Sequence, residues 1–179
     1  AFGGSGVHSA VWVGNERGFA PETTWYRTSR GFWETPECDF PLRRGWFWHP
    51  DEEPKSLYRL VEIYFASVGR GCVMNIGVAP NRKGLVGEDD VKRLAEFGSY
   101  VRKFNFTDLA DEAKVTQDGA TVELQLAAPV EANCLDLMED FADGQKISAW
   151  SAEAKVGGAW QKVASGTTVG YRRLARLKA

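Results

Sequence analysis

The run from Lys55 to Gly77, KSLYRLVEIYFASVGRGCVMNIG, limits this chain more than any other stretch. Leu57, Leu60, Val61, Tyr64, Phe65 and Val68 recur at helical spacing and make one broad apolar face. Gly71–Gly77 follows at once, a continuous apolar run bounded by glycines, which predicts a buried parallel strand. Residues 88–103 repeat the helical pattern with Val91, Leu94, Ala95, Phe97 and Val101. Glu88, Asp89 and Asp90 fall in its first turn, where the helix dipole favours negative charge. Upstream, residues 9–13 are short and apolar. Residues 31–40 carry Phe32, Trp33, Cys38 and Phe40, with Pro36 arguing against a regular central strand. Strand, loop and helix in repetition are the rhythm of a parallel α/β fold. Chemistry in such folds gathers on loops beyond the strand C-termini, where this reading puts Glu16, Glu37 and Asn75.

The texture changes after Phe104. ATVELQL at 120–126 alternates cleanly and KISAWSAEA at 146–154 more loosely. Gly157-Gly158 reads as a hairpin turn, followed by AWQKVASG and TTVGYRRLARL. Closely spaced short strands predict a separate antiparallel β module of sandwich type. The expected class is α/β plus all-β, with residues 1–104 in the first unit and 105–179 in the second.

A formal net charge of -2 argues against nucleic acid as a partner, because phosphate binding needs a concentrated basic face. The basic C-terminal run YRRLARLK alternates like a strand with a solvated face. No run of 18 apolar residues exists, so no membrane-spanning helix is expected. Three widely spaced cysteines, without a CxxC pair, exclude a disulfide scaffold and offer no metal-site spacing; His8 and His49 do not make a zinc site by themselves. Neither a metal nor a cofactor is expected. Five of the seven tryptophans (Trp12, Trp25, Trp33, Trp46 and Trp48) lie close together, either as core or as platforms for the C–H faces of sugars.

The most chemical stretch is VWVGNERGFAPETTW at 11–25. Glu16 follows a short apolar run, with Trp12 and Val13 nearby and Gly14 and Gly18 allowing a ligand to approach the backbone. Burial against tryptophan would raise its pKa, as a general acid requires. The other reading is a solvated glutamate paired with Arg17. Glu34, Glu37 and Asp39 are the other carboxylates beside a comparable strand. His49-Pro50 before an acidic cluster reads either as part of a binding loop or as a capped helix start.

Taken in order, these motifs resemble family-29 glycoside hydrolases, the α-L-fucosidases. SVGRGCVMNIGVAPNRKGLVGEDDVKRLAEFGSYVRK is similar to the last strand and helix of that family's catalytic barrel. VWVGNERG resembles the strand and loop that carry the acid/base glutamate in one branch. FWETPECDFPLRRGWFWHPDEEPKSL is similar to the next strand and its aromatic loop. LMEDFADGQKISAWSAEA and WQKVASGTTVGYRRLARL resemble the β-sandwich that follows the barrel.

The resemblance implies the C-terminal portion of a (β/α)8-like barrel followed by an antiparallel β-sandwich. It implies a retaining exo-glycosidase that removes terminal α-L-fucose from fucosylated glycans. Glu16 would be the acid/base, and the nucleophilic aspartate would sit on an earlier strand outside this chain. Asn15, Trp33, Glu37, Trp46, Trp48 and His49 are the expected substrate contacts. The chain is expected to be a piece truncated at the N-terminus and before the sandwich closes, and inactive alone. Secretion or periplasmic export follows from the family, with no signal peptide visible. Two alternatives stand beside this reading: a non-catalytic carbohydrate-binding module, and one chain of a two-chain enzyme whose missing barrel segment is a separate polypeptide.

Overall fold

The computed structural model describes residues 11–12, 17–22, 36–105, 107–140 and 145–177. Its first part is a parallel three-stranded sheet in the order β1 (Val11–Trp12), β2 (Pro36–Pro41), β3 (Val73–Gly77). Helix α1 (Leu57–Ala66) connects β2 to β3, and α2 (Glu88–Asn105) follows β3. Both helices stand within two residues of the spans their periodicity predicts. Ser56 caps α1, its hydroxyl accepting from the Arg59 amide at 3.2 Å. His49-Pro50 is therefore not the helix start; a turn closes there instead, with the Glu52 amide donating to His49 O at 3.3 Å.

The core is built on α1. Leu60, Val61, Ile63 and Tyr64 pack with Phe40 and Leu42 at the end of β2, Phe97 of α2, and Leu174 from the far end of the chain. Leu60, Ile63 and Phe40 are completely buried. Burying a side chain of this kind stabilises by about 1.5–3 kcal/mol. Tyr64 meets Phe65, Phe97 and Phe104 edge-on at 6.2–6.3 Å. Beside this cluster Cys38 and Cys72 are buried, unbridged and hydrogen-bonded to each other. That bond, and then burial, pushes the Cys38 thiol far above its usual range.

Two strand expectations need correction. β2 is the central strand of the three despite its prolines. Pro36 is its first residue and Pro41 its last, so the prolines sit at its two ends. β3 was expected to be buried, yet Val73 and Asn75 are exposed. It lies at the edge of the described sheet, with only its Met74 and Ile76 side against the core.

The second part has three antiparallel pairs: β4 (Lys114–Asp118) with β5 (Thr121–Gln125), β6 (Cys134–Leu137) with β9 (Arg173–Arg176), and β7 (Trp150–Val156) with β8 (Ala159–Gly166). Gly157 and Gly158 form the β7–β8 turn with φ of 60° and 89°. A register shift between Ala152 and Glu153 accounts for the looser alternation there. The clean alternation of β5 does make a strand, but Val122 and Leu124 are exposed. Among the described residues the parallel sheet is not a closed barrel, and the antiparallel strands are two-stranded ribbons.

The basic run also differs from expectation. β9 is a strand, but its arginines are not simply solvated. Arg173 is buried and donates to Thr168 O, Thr168 Oγ1 and Glu22 O. Arg172 reaches Asp136 at 2.6 Å and Asn105 Oδ1 at 2.8 Å. Arg176 pairs with Glu62 and lies over the Phe65 ring.

Glu139 fastens the β6 end of this region. Its carboxylate accepts from the amides of Lys146, Ile147 (2.8 Å) and Gly170 (2.9 Å). Burial pushes its pKa up, but these three donors outweigh burial and hold it below the ordinary value. A depressed folded pKa means that the contribution is complete above the unfolded value and disappears as pH falls through the folded one. Glu139→Gln should therefore cost about 1–3 kcal/mol near neutrality. The gap to wild type should narrow as pH falls below the ordinary carboxylate range, as read by urea denaturation at a series of pH values.

Candidate functional site

β2 divides its side chains between two faces. Pro36, Cys38 and Phe40 are buried, Phe40 within the α1 core, whereas Glu37 and Asp39 point the other way. The register pairs Glu37 with Val73 and Asp39 with Asn75, so these four residues share the face opposite α1. That face is open: Val73 is 49% exposed, and Asn75 is exposed as well. Parallel sheets bury both faces in almost every known case. Asp39 adds a second sign of something missing, since its Oδ1 is enclosed with no hydrogen-bond partner among the described residues.

At the C-terminal end of the sheet, residues 42–55 form a closed loop. The Lys55 amide donates to Leu42 O at 2.8 Å, and the Leu42 amide donates to Gly77 O at 2.8 Å. Lys55 Nζ donates to Pro41 O and Arg43 O, both at 2.5 Å. Burial, then the nearby Arg59 charge, lowers the Lys55 pKa. Arg43 is buried, and its Nε reaches both Asp90 oxygens at 3.0 and 3.1 Å; another guanidinium nitrogen donates to Glu52 O. Asp90 lies in the first turn of α2. One buried ion pair thus joins the loop after β2 to the helix after β3.

That anchored loop holds aromatic groups outward. Trp46 is 42% exposed and Phe47 78%, Trp48 is half-buried, and His49 is exposed. The Trp46 ring covers Gly77, where an added Cβ would come 2.6 Å from Cζ3. Glycine at the end of β3 is what lets the indole lie there.

The structure brings Trp46, Trp48 and His49 together on one loop at the strand ends. Glu37 is elsewhere: it is the second residue of β2, registered with Val73 at the start of β3, and not beyond a strand C-terminus as expected. Asn75 is likewise mid-strand. Four residues separate the Glu37 level from Gly77, about 13 Å along the strands. Asn15, Glu16 and Trp33 lie outside the described residues. The Arg43–Asp90 pair was missed by sequence reading, which took Asp90 for a helix-dipole residue; nothing in a 47-residue separation marks the pairing.

No family model matches the chain. It is 31% identical over 219 residues to alpha-L-fucosidase 1 of Arabidopsis thaliana, with 93% of this chain and 43% of that protein covered. The solved structure of SpGH29 superposes with a TM-score of 0.86 at 34% identity, covering 94% of this chain and 48% of that one. Over nearly its whole length the chain is similar to part of a family-29 glycoside hydrolase. Family-29 architecture is also seen in the superposition on a Ruminococcus gnavus GH29 fucosidase in complex with fucose. That match has a TM-score of 0.81 at 24% identity over 95% of this chain and 45% of that one, and it supports the fold alone. The chain spans about two fifths of the length of the curated family member it matches.

Asp90→Ala should leave Arg43 charged and buried without its partner, at a cost of about 3–5 kcal/mol. Gly77→Ala should displace the Trp46 indole while leaving the α1 core untouched. Chemical denaturation checks the first, and a shift in tryptophan emission without loss of far-UV circular dichroism checks the second.

Proposed function

We propose that this chain is the C-terminal part of a retaining α-L-fucosidase, contributing the last strands of a (β/α)8-like barrel (1–104) and a β-sandwich region (105–179). The observation that carries this reading is the open face of β2 and β3 in a chain similar to fucosidases. Helices cover one side of the sheet. The other presents Glu37, Asp39, Val73 and Asn75, the mixed polar and apolar lining expected of a barrel interior once the remaining strands close over it. A free-standing carbohydrate-binding module has no need of a parallel sheet with one face uncovered.

Cleavage of a fucoside needs a proton for the departing oxygen and a carboxylate at the anomeric carbon. Glu16 supplies the proton and then, as its conjugate base, activates water in the second step. The carboxylate nucleophile comes from the barrel strands that precede this chain, so residues 1–179 alone release no fucose. Asn15, Trp33, Trp46, Trp48 and His49 contact the sugar. Apolar rings on the anchored loop suit a methyl-bearing ring, and polar groups beside them suit its hydroxyls. Glu37, set back along β2, acts from the interior face on the groups that surround the substrate. The substrate is a terminal α-L-fucose on a glycan, and the setting is secreted or periplasmic.

Glu16→Gln in the full-length protein tests the assignment. Hydrolysis of natural fucosides should fall by about 10²–10⁴-fold. Aryl fucosides with good leaving groups need no proton for the first step, so they should show a pre-steady-state burst followed by slow turnover. Unchanged rates on both substrate types would remove Glu16 from the mechanism.

A further inference from the structure

A cleft of about 630 Å³ runs along α1 beside β9 and the open end of the β7–β8 ribbon. None of its lining belongs to the loops that follow β2 and β3. It gathers four arginines, Arg59, Arg70, Arg173 and Arg176, against two carboxylates, Glu22 and Glu62, in a chain whose net charge is -2. Glu22 is bound by Arg70 and Glu62 by Arg176. Arg59 has no carboxylate in reach among the described residues; its guanidinium lies 4.8 Å from the centre of the Phe19 ring.

Trp150 lines the same cleft and gives the second observation. Its indole covers Gly166, where an added Cβ would meet ring atoms at 2.8 Å. Its Nε1–H is enclosed and has no acceptor among the described residues. Ser165 and Thr167 add hydroxyls along the same wall. The walls therefore offer an unspent indole donor, guanidinium donors and apolar ring surface. A complementary ligand is rich in acceptors, carries negative charge and has a C–H face.

We infer that this cleft is a second saccharide site, selective for a sugar bearing a carboxylate or sulfate group. The anion faces Arg59 and its neighbouring guanidiniums, with the Trp150 indole donating to a ring or anionic oxygen. The anionic requirement rests on the cleft itself; the saccharide scaffold rests on the fucosidase reading.

Calorimetric titration of the full-length protein tests this with three hexasaccharides: chondroitin sulfate, unsulfated chondroitin and neutral chitohexaose. Chondroitin sulfate, unsulfated chondroitin or both should bind at least about tenfold more tightly than chitohexaose. Equal binding of both assigns the recognised group as the carboxylate, and binding of only the first assigns it as sulfate. Arg59→Glu, on an exposed helix position, should weaken the anionic ligand by about tenfold or more. Trp150→Phe keeps a ring over Gly166 and removes the N–H, so it should weaken binding with an unchanged melting temperature. Equal affinity for chitohexaose, insensitivity to Arg59→Glu, or equal affinity for single-stranded DNA of matched charge would each overturn the proposal. Loss of fucosidase activity in the full-length protein with retained chondroitin binding would sink the catalytic reading alone.

Discussion

The contact on which both parts of the chain depend is the insertion of Leu174 into the α1 core. β9 is more than a hundred residues from α1 in sequence, yet Leu174 is buried with Leu60, Ile63, Tyr64 and Phe97. Gly69, in the tight turn after α1, makes room for it: an added Cβ would come 2.9 Å from the Leu174 Cβ. Polar contacts then surround this apolar one. Arg172 ties Asp136 to Tyr64 and Asn105, Arg173 ties residues 168 and 22, and Arg176 ties Glu62. Surface ion pairs of this kind contribute little singly. Ranged around a buried leucine, they fix the angle at which β9 meets the helix, because Arg172 satisfies acceptors on β6, α1 and α2 at once and Arg176 reaches from β9 to Glu62 of α1.

The same division of labour shapes the C-terminal end of the sheet. The aromatic loop after β2 has few apolar contacts of its own, and its outward rings cannot hold it still. Its order comes from polar anchors at its base: the backbone bonds of Leu42 and Lys55, the Lys55 ammonium between two carbonyls, and Arg43 on Asp90. Because these anchors are buried or part-buried and multiply bonded, the loop tips can remain exposed without the loop becoming loose. A binding surface needs that combination, since rings already held in place lose less freedom when a ligand arrives.

Helices, the hairpin turn and the parallel α/β rhythm were legible because each is written locally. The 3.6-residue period of α1, the Gly157-Gly158 pair and the glycine-bounded run before α2 each carry their own instruction. The mistakes arose where the outcome depends on partners elsewhere. β3 has Val73 and Asn75 exposed because none of the described elements packs on that face. The roles of Asp90 and of the β9 arginines depend on residues 47 to 151 positions away. Glu37 was misplaced for a different reason. The extended stretch 31–40 contains no local mark of where pairing begins, and that is decided by Cys38 and Phe40 having to face the core while Glu37 and Asp39 face away.

An open sheet face and a half-exposed set of ribbons would be hazards in an isolated domain, because uncovered apolar strand surface invites association. Here the exposed residues are not random. On the sheet Val73 and Asn75 are exposed and are registered with the half-buried carboxylates Glu37 and Asp39, so the open face is mainly polar. On the ribbons Val122, Leu124 and Trp160 lie exposed along regular strands. The closed side, by contrast, is complete within the chain: α1, α2, the C-terminal part of β2 and Leu174 bury one another without help. The sequence therefore encodes one finished face and one prepared face. The prepared face carries Glu37 and Asp39, with the exposed aromatic loop at its strand ends, and no core among the described residues occupies the space in front of it.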